Sequence, residues 1–178
     1  MFKTGDLVLY GGTGVCRVTE ITQRDLQGAE GNALYYILKP LYSNYIVSTP
    51  VDTEKVVIRP ILTKTEAEQL IDRIPSFHPK PFYSRMIREV AEHYEAHFKT
   101  YCCADLMELS ISLYAKKQES ERQNRKFGLV DERYMKRTEE LLFGELAAAL
   151  GILKEEVPSY ITARVGKKGG EPDGKCDS

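Results

Sequence analysis

The sequence has no tryptophan, no long apolar run and no surplus of charge of either sign. Its 178 residues hold 25 Lys and Arg against 26 Asp and Glu, a formal net charge of −1. A protein that holds nucleic acid unaided draws most of its affinity from phosphate neutralisation and carries a basic surplus. Any DNA contact here must therefore be local, or be delivered by a partner. No apolar stretch approaches the ~20 residues of a membrane-spanning helix. The N-terminus also lacks the basic-then-apolar pattern of a signal peptide, so a cytoplasmic protein with no membrane contact is expected.

Cysteine is scarce and badly spaced for chemistry. Cys16, Cys102, Cys103 and Cys176 form no C-x-x-C pair, which argues against a disulfide framework or a zinc knuckle and for reduced thiols. The phosphate-binding G-x-x-x-x-G-K-[ST] is absent, as is any motif that positions a Ser or Cys nucleophile. His93 and His97 are four apart but have no third ligand, and Glu95 is out of the H-E-x-x-H register. They read as surface histidines. No catalysis, metal or cofactor is expected.

What is present begins with residues 2–21, F-K-T-G-D-L-V-L-Y-G-G-T-G-V-C-R-V-T-E-I. A β-branched run ends at Tyr10, Gly11, Gly12 and Gly14 punctuate the chain, and Val15, Val18 and Ile21 resume an apolar pattern. That is a hairpin signal with a glycine-rich reversal. As a phosphate cradle it is weak, because the glycines open a strand rather than a helix. A polar loop over 24–32, then strands over 33–41, 45–51 and 56–61, complete five short strands in roughly 60 residues. Pro50 ends the fourth or puts it on an edge. The pattern predicts a small SH3- or Tudor-like barrel.

The period then changes. Thr65 and Glu68 form a capping-box pattern ahead of Leu70, Ile71 and Ile74, and Pro75 stops that short helix. His78-Pro79-Lys80-Pro81 reads as a stiff connector. Ile87, Val90, Ala91, Tyr94 and Phe98 then fall on one helical face, and Leu106, Leu109, Leu113 and Tyr114 on another. Asp131 is placed to cap a third helix carrying Tyr134, Thr138, Leu141, Leu142, Leu146 and Ala149, which Gly151 ends. A last short helix falls within 153–165, and 166–178 reads as a disordered, charged, glycine-rich tail. The expected architecture is α+β in two domains: a barrel over 1–62, a short helix and linker over 63–81, and an all-helical domain over 82–165.

Two features invite a nucleic-acid reading. Lys116, Lys117, Arg122, Arg125, Lys126, Arg133, Lys136 and Arg137 surround the join of the second and third long helices, diluted by Glu119, Glu121, Asp131 and Glu132. They read either as cations complementing helix ends or as a phosphate-facing patch. Phe82-Tyr83-Ser84-Arg85-Met86-Ile87-Arg88 joins aromatics to two arginines at a helix start. It reads either as an aromatic packed back on the first turn, or as a phosphate contact with a ring free to meet bases.

The opening F-K-T-G-D-L-V-L-Y-G-G-T-G-V resembles the F-x-x-G-D-x-V-x-Y-x-x-x-G-V/A signature of the CarD family of bacterial transcription regulators. Gln23-Arg24-Asp25-Leu26-Gln27-Gly28 with Tyr35-Tyr36-Ile37-Leu38, then 47–50 ahead of Val56-Val57-Ile58-Arg59, continue the resemblance. Leu141-Leu142-Phe143-Gly144-Glu145-Leu146-Ala147 is similar to the family's closing helix. Element by element it spans residues 1–165. The resemblance implies a Tudor-like domain that binds the RNA polymerase β subunit, and a helical domain that sets an aromatic in the minor groove at the upstream edge of the promoter bubble and stabilises the open complex. The implied polymerase-binding residues are Arg24, Ile46, Val47 and Ser48. The implied nucleic-acid-binding residues are Tyr83, Arg85, Arg88, Lys116, Lys117, Arg122, Arg125 and Lys126. Two positions depart from the family. Tyr83 stands where the wedge is commonly Trp, and Ser48 stands where an Arg commonly precedes the strand's Pro by two. The same barrel occurs in transcription-repair coupling factors, but without ATPase motifs a free-standing regulator is preferred. The rival expectation is a protein-interaction module whose barrel takes a partner strand and which never touches DNA.

Overall fold

The computed structural model describes residues 1–25 and 32–168. Strands β1 (Leu7–Tyr10), β2 (Gly14–Asp25), β3 (Asn32–Pro40), β4 (Val47–Pro50) and β5 (Ile58–Pro60) come first. Helices α1 (Lys64–Asp72), α2 (Ile87–Ala96), α3 (Cys103–Arg122), α4 (Leu129–Leu150) and α5 (Val157–Lys168) follow. The class is thus α+β, with the five strands ahead of the helices. The expected loop over 24–32 gives way at both ends, since β2 runs through Asp25 and β3 starts at Asn32. The rest of it, including Leu26, Gln27 and Gly28, lies outside the described residues. The helix α5 also reaches past the expected tail boundary to Lys168, and 169–178 lie outside the description.

The sheet is antiparallel in the order β4-β3-β2-β1-β5. It is an open sheet with β4 and β5 as its edges, so the expected closed barrel is corrected on this point. The reversal between β1 and β2 is a single 3-10 turn, Gly11–Thr13. Gly11 sits at φ +41, where a Cβ would lie 2.7 Å from Val56 Cγ1, while its N–H donates to the Val57 carbonyl at 2.8 Å. The left-handed φ and the close approach of Val56 and Val57, just ahead of β5, favour glycine there, which explains the residue without a phosphate.

Strand alternation sorts the side chains. Val8, Cys16, Val18, Tyr36 and Leu38 build the sheet's own core. On the opposite face Leu9 pairs with Val15 and Arg59 across the strands, and both apolar residues are buried. That end of the face meets α4.

The helices share one cluster that runs from Ala67, Leu70 and Ile71 of α1 through Tyr94, Leu106, Leu109 and Leu113 to Leu142, Leu146 and Val157. The central helix is α4, against which α1, α2, α3 and α5 all pack. Three local expectations are corrected. The capping box at α1 is Thr63 with Glu66, two residues earlier than Thr65 with Glu68. Ile87 and Tyr114 do not join the buried faces but are exposed. Asp131 is not a cap: Gly128 holds that place, and Asp131 is buried inside the first turn of α4. Gly151 ends α4 in the left-handed region at φ +69, as its position predicts.

Among the described residues, sheet and helices are locked by the ion pair of Arg59 and Glu145. Glu145 of α4 is fully buried and accepts from both terminal guanidinium nitrogens of Arg59, at 2.6 and 2.8 Å, and from the Leu62 N–H at 3.1 Å. Arg59 also donates to the Tyr101 carbonyl at 2.7 Å. Tyr42 adds a second tie, its hydroxyl donating to the Gly144 carbonyl at 2.8 Å.

Removing one member of a buried pair strands the other. Arg59→Ala is expected to lower unfolding free energy by about 3–5 kcal/mol, and a joint Arg59→Met, Glu145→Met exchange to recover most of it. Urea unfolding of the three proteins measures this, and an unchanged midpoint in Arg59→Ala would show the pair to be idle. The thiols give a second expectation. Burial pushes Cys16 up to about 11, and burial with Glu145 alongside raises Cys103 as well, whereas Cys102 is exposed. Brief alkylation at pH ~8 followed by peptide mapping should modify Cys102 and spare Cys16 and Cys103, because the thiolate is the nucleophile.

Candidate partner and nucleic-acid interfaces

The first candidate surface is the outer edge of the sheet. In β4, Val47 and Thr49 oppose the core residues Leu38 and Tyr36, while Ser48 opposes Ile37 on the other face. Along β3, Ile37, Tyr35 and Ala33 share that face, and Ala33 pairs with Arg24 on β2. Arg24 and Ser48 therefore lie on one face of the sheet. The Arg24 guanidinium stands over the Tyr35 ring at 5.7 Å to its centroid. Just before β4, Tyr45 and Ile46 are exposed, Ile46 at 69%. Of the expected polymerase-binding residues, Arg24, Ile46 and Ser48 are thus at the surface, and Val47 is half-buried toward the core.

The second surface surrounds Tyr83. Two aromatics precede α2 and part company. Phe82 packs inward and stacks on His93 with ring centroids 4.0 Å apart, nearly parallel. Tyr83 points outward and is 59% exposed. The ring that packs back onto the helix is therefore Phe82, which leaves Tyr83 available. Ser84 Oγ donates to Glu89 at 2.5 Å and accepts from the Met86 N–H at 3.1 Å, fixing the turn into α2. Met86, Ile87 and Leu129 are exposed, and Ile87 and Leu129 line one hollow with Ser84 and Lys116. Tyr83 and Arg125 border another with Pro81, Glu119 and Gln123.

The cations divide into three groups. Arg85, Lys117, Arg125 and Lys126 are exposed. Arg88 pairs with Glu92 at 2.8 Å, and Arg122 pairs with Glu119, all on the surface. Lys116 is different. It is only 8% exposed, and its ammonium donates to Asp131 at 2.9 Å and to the Tyr94 hydroxyl at 3.3 Å. Tyr94 itself donates to the same Asp131 oxygen at 2.5 Å. Burial first, then Asp131, drives the Tyr94 hydroxyl far above its ordinary range. Lys116 therefore cannot serve as an open phosphate contact, and its place in the expected set is corrected. The signal was present in the sequence: Lys116 follows Leu106, Leu109 and Leu113 at helical steps, on the buried face of α3.

A second tie holds α2 to α4. The Glu95 carboxylate accepts from Tyr134 at 2.8 Å and Arg137 at 2.7 Å. The Tyr134 hydrogen bond, aided by Arg137 and opposed by partial burial, lowers Glu95 below its ordinary 4.5. A lowered carboxylate stabilises the fold fully above its unfolded value and loses that contribution as pH falls through the folded one. Glu95→Gln should therefore melt lower than the parent near neutral pH, with the gap closing as the pH drops below 4.5. Melting curves across that range check it, and a pH-independent gap would remove Glu95 from the tie. Among the described residues there is no group of three or more His, Cys, Asp or Glu side chains able to hold a metal ion, and no helix is long and apolar enough to cross a membrane.

No curated protein matches the chain. Residues 2–62 match the family model described as the CarD-like/TRCF RID domain. The matched stretch takes in β1 through β5 and ends at Leu62, whose N–H is bound by Glu145. The five-stranded sheet is accordingly identified as a CarD-like RNA polymerase-interacting domain, a regulatory interaction module by family.

Proposed function

We propose that the protein is a bacterial transcription regulator that grips the RNA polymerase β subunit with its sheet and promoter DNA with its helices. The exposed end of the sheet around Arg24, Ser48 and Ile46, away from α4, is the polymerase surface. Tyr83, with Arg125 across a shared hollow and Arg85 two residues on at the entry to α2, meets the upstream edge of the bubble and slows its collapse, and the exposed Lys117 and Lys126 add phosphate contacts. The observation that carries this reading is an exposed aromatic among cations, on a helical layer locked by Arg59 and Glu145 to a CarD-like domain. The net charge of −1 fits, since the polymerase supplies the tether and a high effective concentration. The protein acts without catalysis or cofactor, in the cytoplasm. The chain boundaries suggested for its units, 1–62 and 82–165, follow the same reading.

The rival reading, an interaction module without DNA contact, draws support from β4. It is a four-residue edge strand whose outer side is unpaired among the described strands, suited to accept a partner strand. Promoter protection with and without polymerase separates the two. Protection that needs polymerase supports the regulator, and none under either condition supports the module.

Arginine makes bidentate, charge-assisted bonds to a carboxylate that other residues cannot copy. Arg24→Glu is therefore expected to weaken binding to an isolated β-subunit fragment while its melting temperature stays with the parent's. Tyr83→Ala is expected to shorten open-complex lifetime while leaving polymerase affinity intact. Base–aromatic stacking, worth roughly 1–3 kcal/mol, sets the upper limit of that loss. Free duplex DNA should bind weakly with a shallow salt slope, because few phosphates are neutralised at once. A tight, steeply salt-dependent complex would contradict the reading of its charge.

A further inference from the structure

We infer that Lys116, anchored by Asp131, is the seat on which the Tyr83 ring rests: a positioning residue that fixes the direction of the exposed aromatic. Tyr83 lies in a stretch with neither helix nor strand, between the 3-10 turn Ile74–Ser76 and α2. A ring on such a stretch, 59% exposed, would ordinarily sample several rotamers. Here the chain on either side of it is pinned. Phe82 is stacked on His93 before it, and Ser84 is bonded to Glu89 and the Met86 N–H after it. Beneath the ring stands the Lys116 ammonium, 4.9 Å from its centroid. The face of a phenol ring attracts a cation at that distance, more strongly where the cation is shielded from water.

The ammonium cannot wander. It comes from α3, and its protons go to Asp131 on α4 and to the Tyr94 hydroxyl on α2. The Tyr94 ring, 5.9 Å from the same nitrogen, bounds it on a second side. Three helices thus converge on one buried charge that also faces the Tyr83 ring. Burying an ion pair is weak evidence for stability, since well-packed apolar side chains often do as well. Holding a cation at a set point below a functional ring gives the arrangement a use that apolar packing would not supply. The role in DNA contact rests on the function proposed above; the seat itself does not.

The absence of tryptophan makes the test clean. Tyr83→Trp creates a single indole whose time-resolved fluorescence anisotropy reports on this site alone. In that background the ring should be held, with little fast depolarisation. Adding Lys116→Met together with Asp131→Asn removes both charges without stranding either, and should free the ring while the melting temperature changes little. Lys116→Arg keeps a cation beneath the ring and should keep it held. Asp131→Asn alone loosens the anchor and should give an intermediate mobility, which keeps the test open if the double exchange costs the fold. Equal mobility in all four proteins would overturn the seat, whatever the DNA does.

With Tyr83 in place, the Lys116→Met, Asp131→Asn protein should lose open complexes about two- to fivefold faster than the parent at equal polymerase affinity. Lys116→Arg should restore the parent rate. Unchanged decay in the double variant, where Tyr83→Ala does speed decay, overturns the positioning role. Unchanged decay in Tyr83→Ala itself overturns the wedge reading, while the anisotropy result still decides the seat.

Discussion

The fold turns on a buried arginine–carboxylate pair. Arg59 leaves the edge strand β5 on the face of Leu9 and Val15, and Glu145 leaves α4 toward that face. The carboxylate is wholly buried, and both its oxygens are bonded: two guanidinium donors and one backbone N–H. Such a site tolerates little displacement. Displacing the Arg59 guanidinium loosens two of these bonds together, in a setting where an unpaired charge is expensive. An apolar contact of the same area would hold the layers together, but without fixing their relative angle.

The cost of that geometry is visible nearby. Tyr101 adopts φ +50, a left-handed conformation unusual for a residue with a side chain. Its carbonyl accepts from Arg59 at 2.7 Å, and its ring lies over the Gly11 and Gly12 turn. The backbone strain sits where the entry to α3, the β1–β2 turn and the ion pair meet, so the surroundings hold it in place. From the same α3, further along, Lys116 reaches under Tyr83. A continuous, well-bonded route thus joins the CarD-like sheet to the exposed aromatic, which gives physical content to the proposed division of labour between a polymerase grip and a DNA contact.

How much of this was legible in the sequence depends on the range of the interaction. The glycine reversal, the five strands and the termination of α4 at Gly151 follow from local backbone preference, and they appear where the pattern puts them. The capping box of α1 shows local information becoming ambiguous. Thr63-x-x-Glu66 and Thr65-x-x-Glu68 satisfy the same pattern, and the first is the one formed, directly after Leu62, whose N–H is bound by Glu145. The barrel failed for a related reason: strand count is local, but closure depends on whether β4 and β5 meet. The ion pair itself, 86 residues apart in sequence, was out of reach. Its one trace is a glutamate among apolar residues on the inner face of α4, beside Leu141, Leu142 and Leu146.

That trace recurs at the candidate site and shows how charges should be read in such chains. Lys116 and Glu145 both occupy buried steps of amphipathic helices, and both are satisfied by partners no local pattern names. A cation counted by sequence proximity joined a surface patch; counted by helical face it belonged to the interior. The set of cations without a carboxylate at hand is then smaller than composition implies, because Arg88 and Arg122 are also engaged by neighbouring glutamates. A handful of exposed cations would neutralise few phosphates, which on the proposed reading keeps affinity for DNA alone low. On the proposed reading this is functional. A regulator delivered by polymerase gains nothing from holding duplex elsewhere, and a rigidly presented ring acts only where the tether has already brought it to an opening base step.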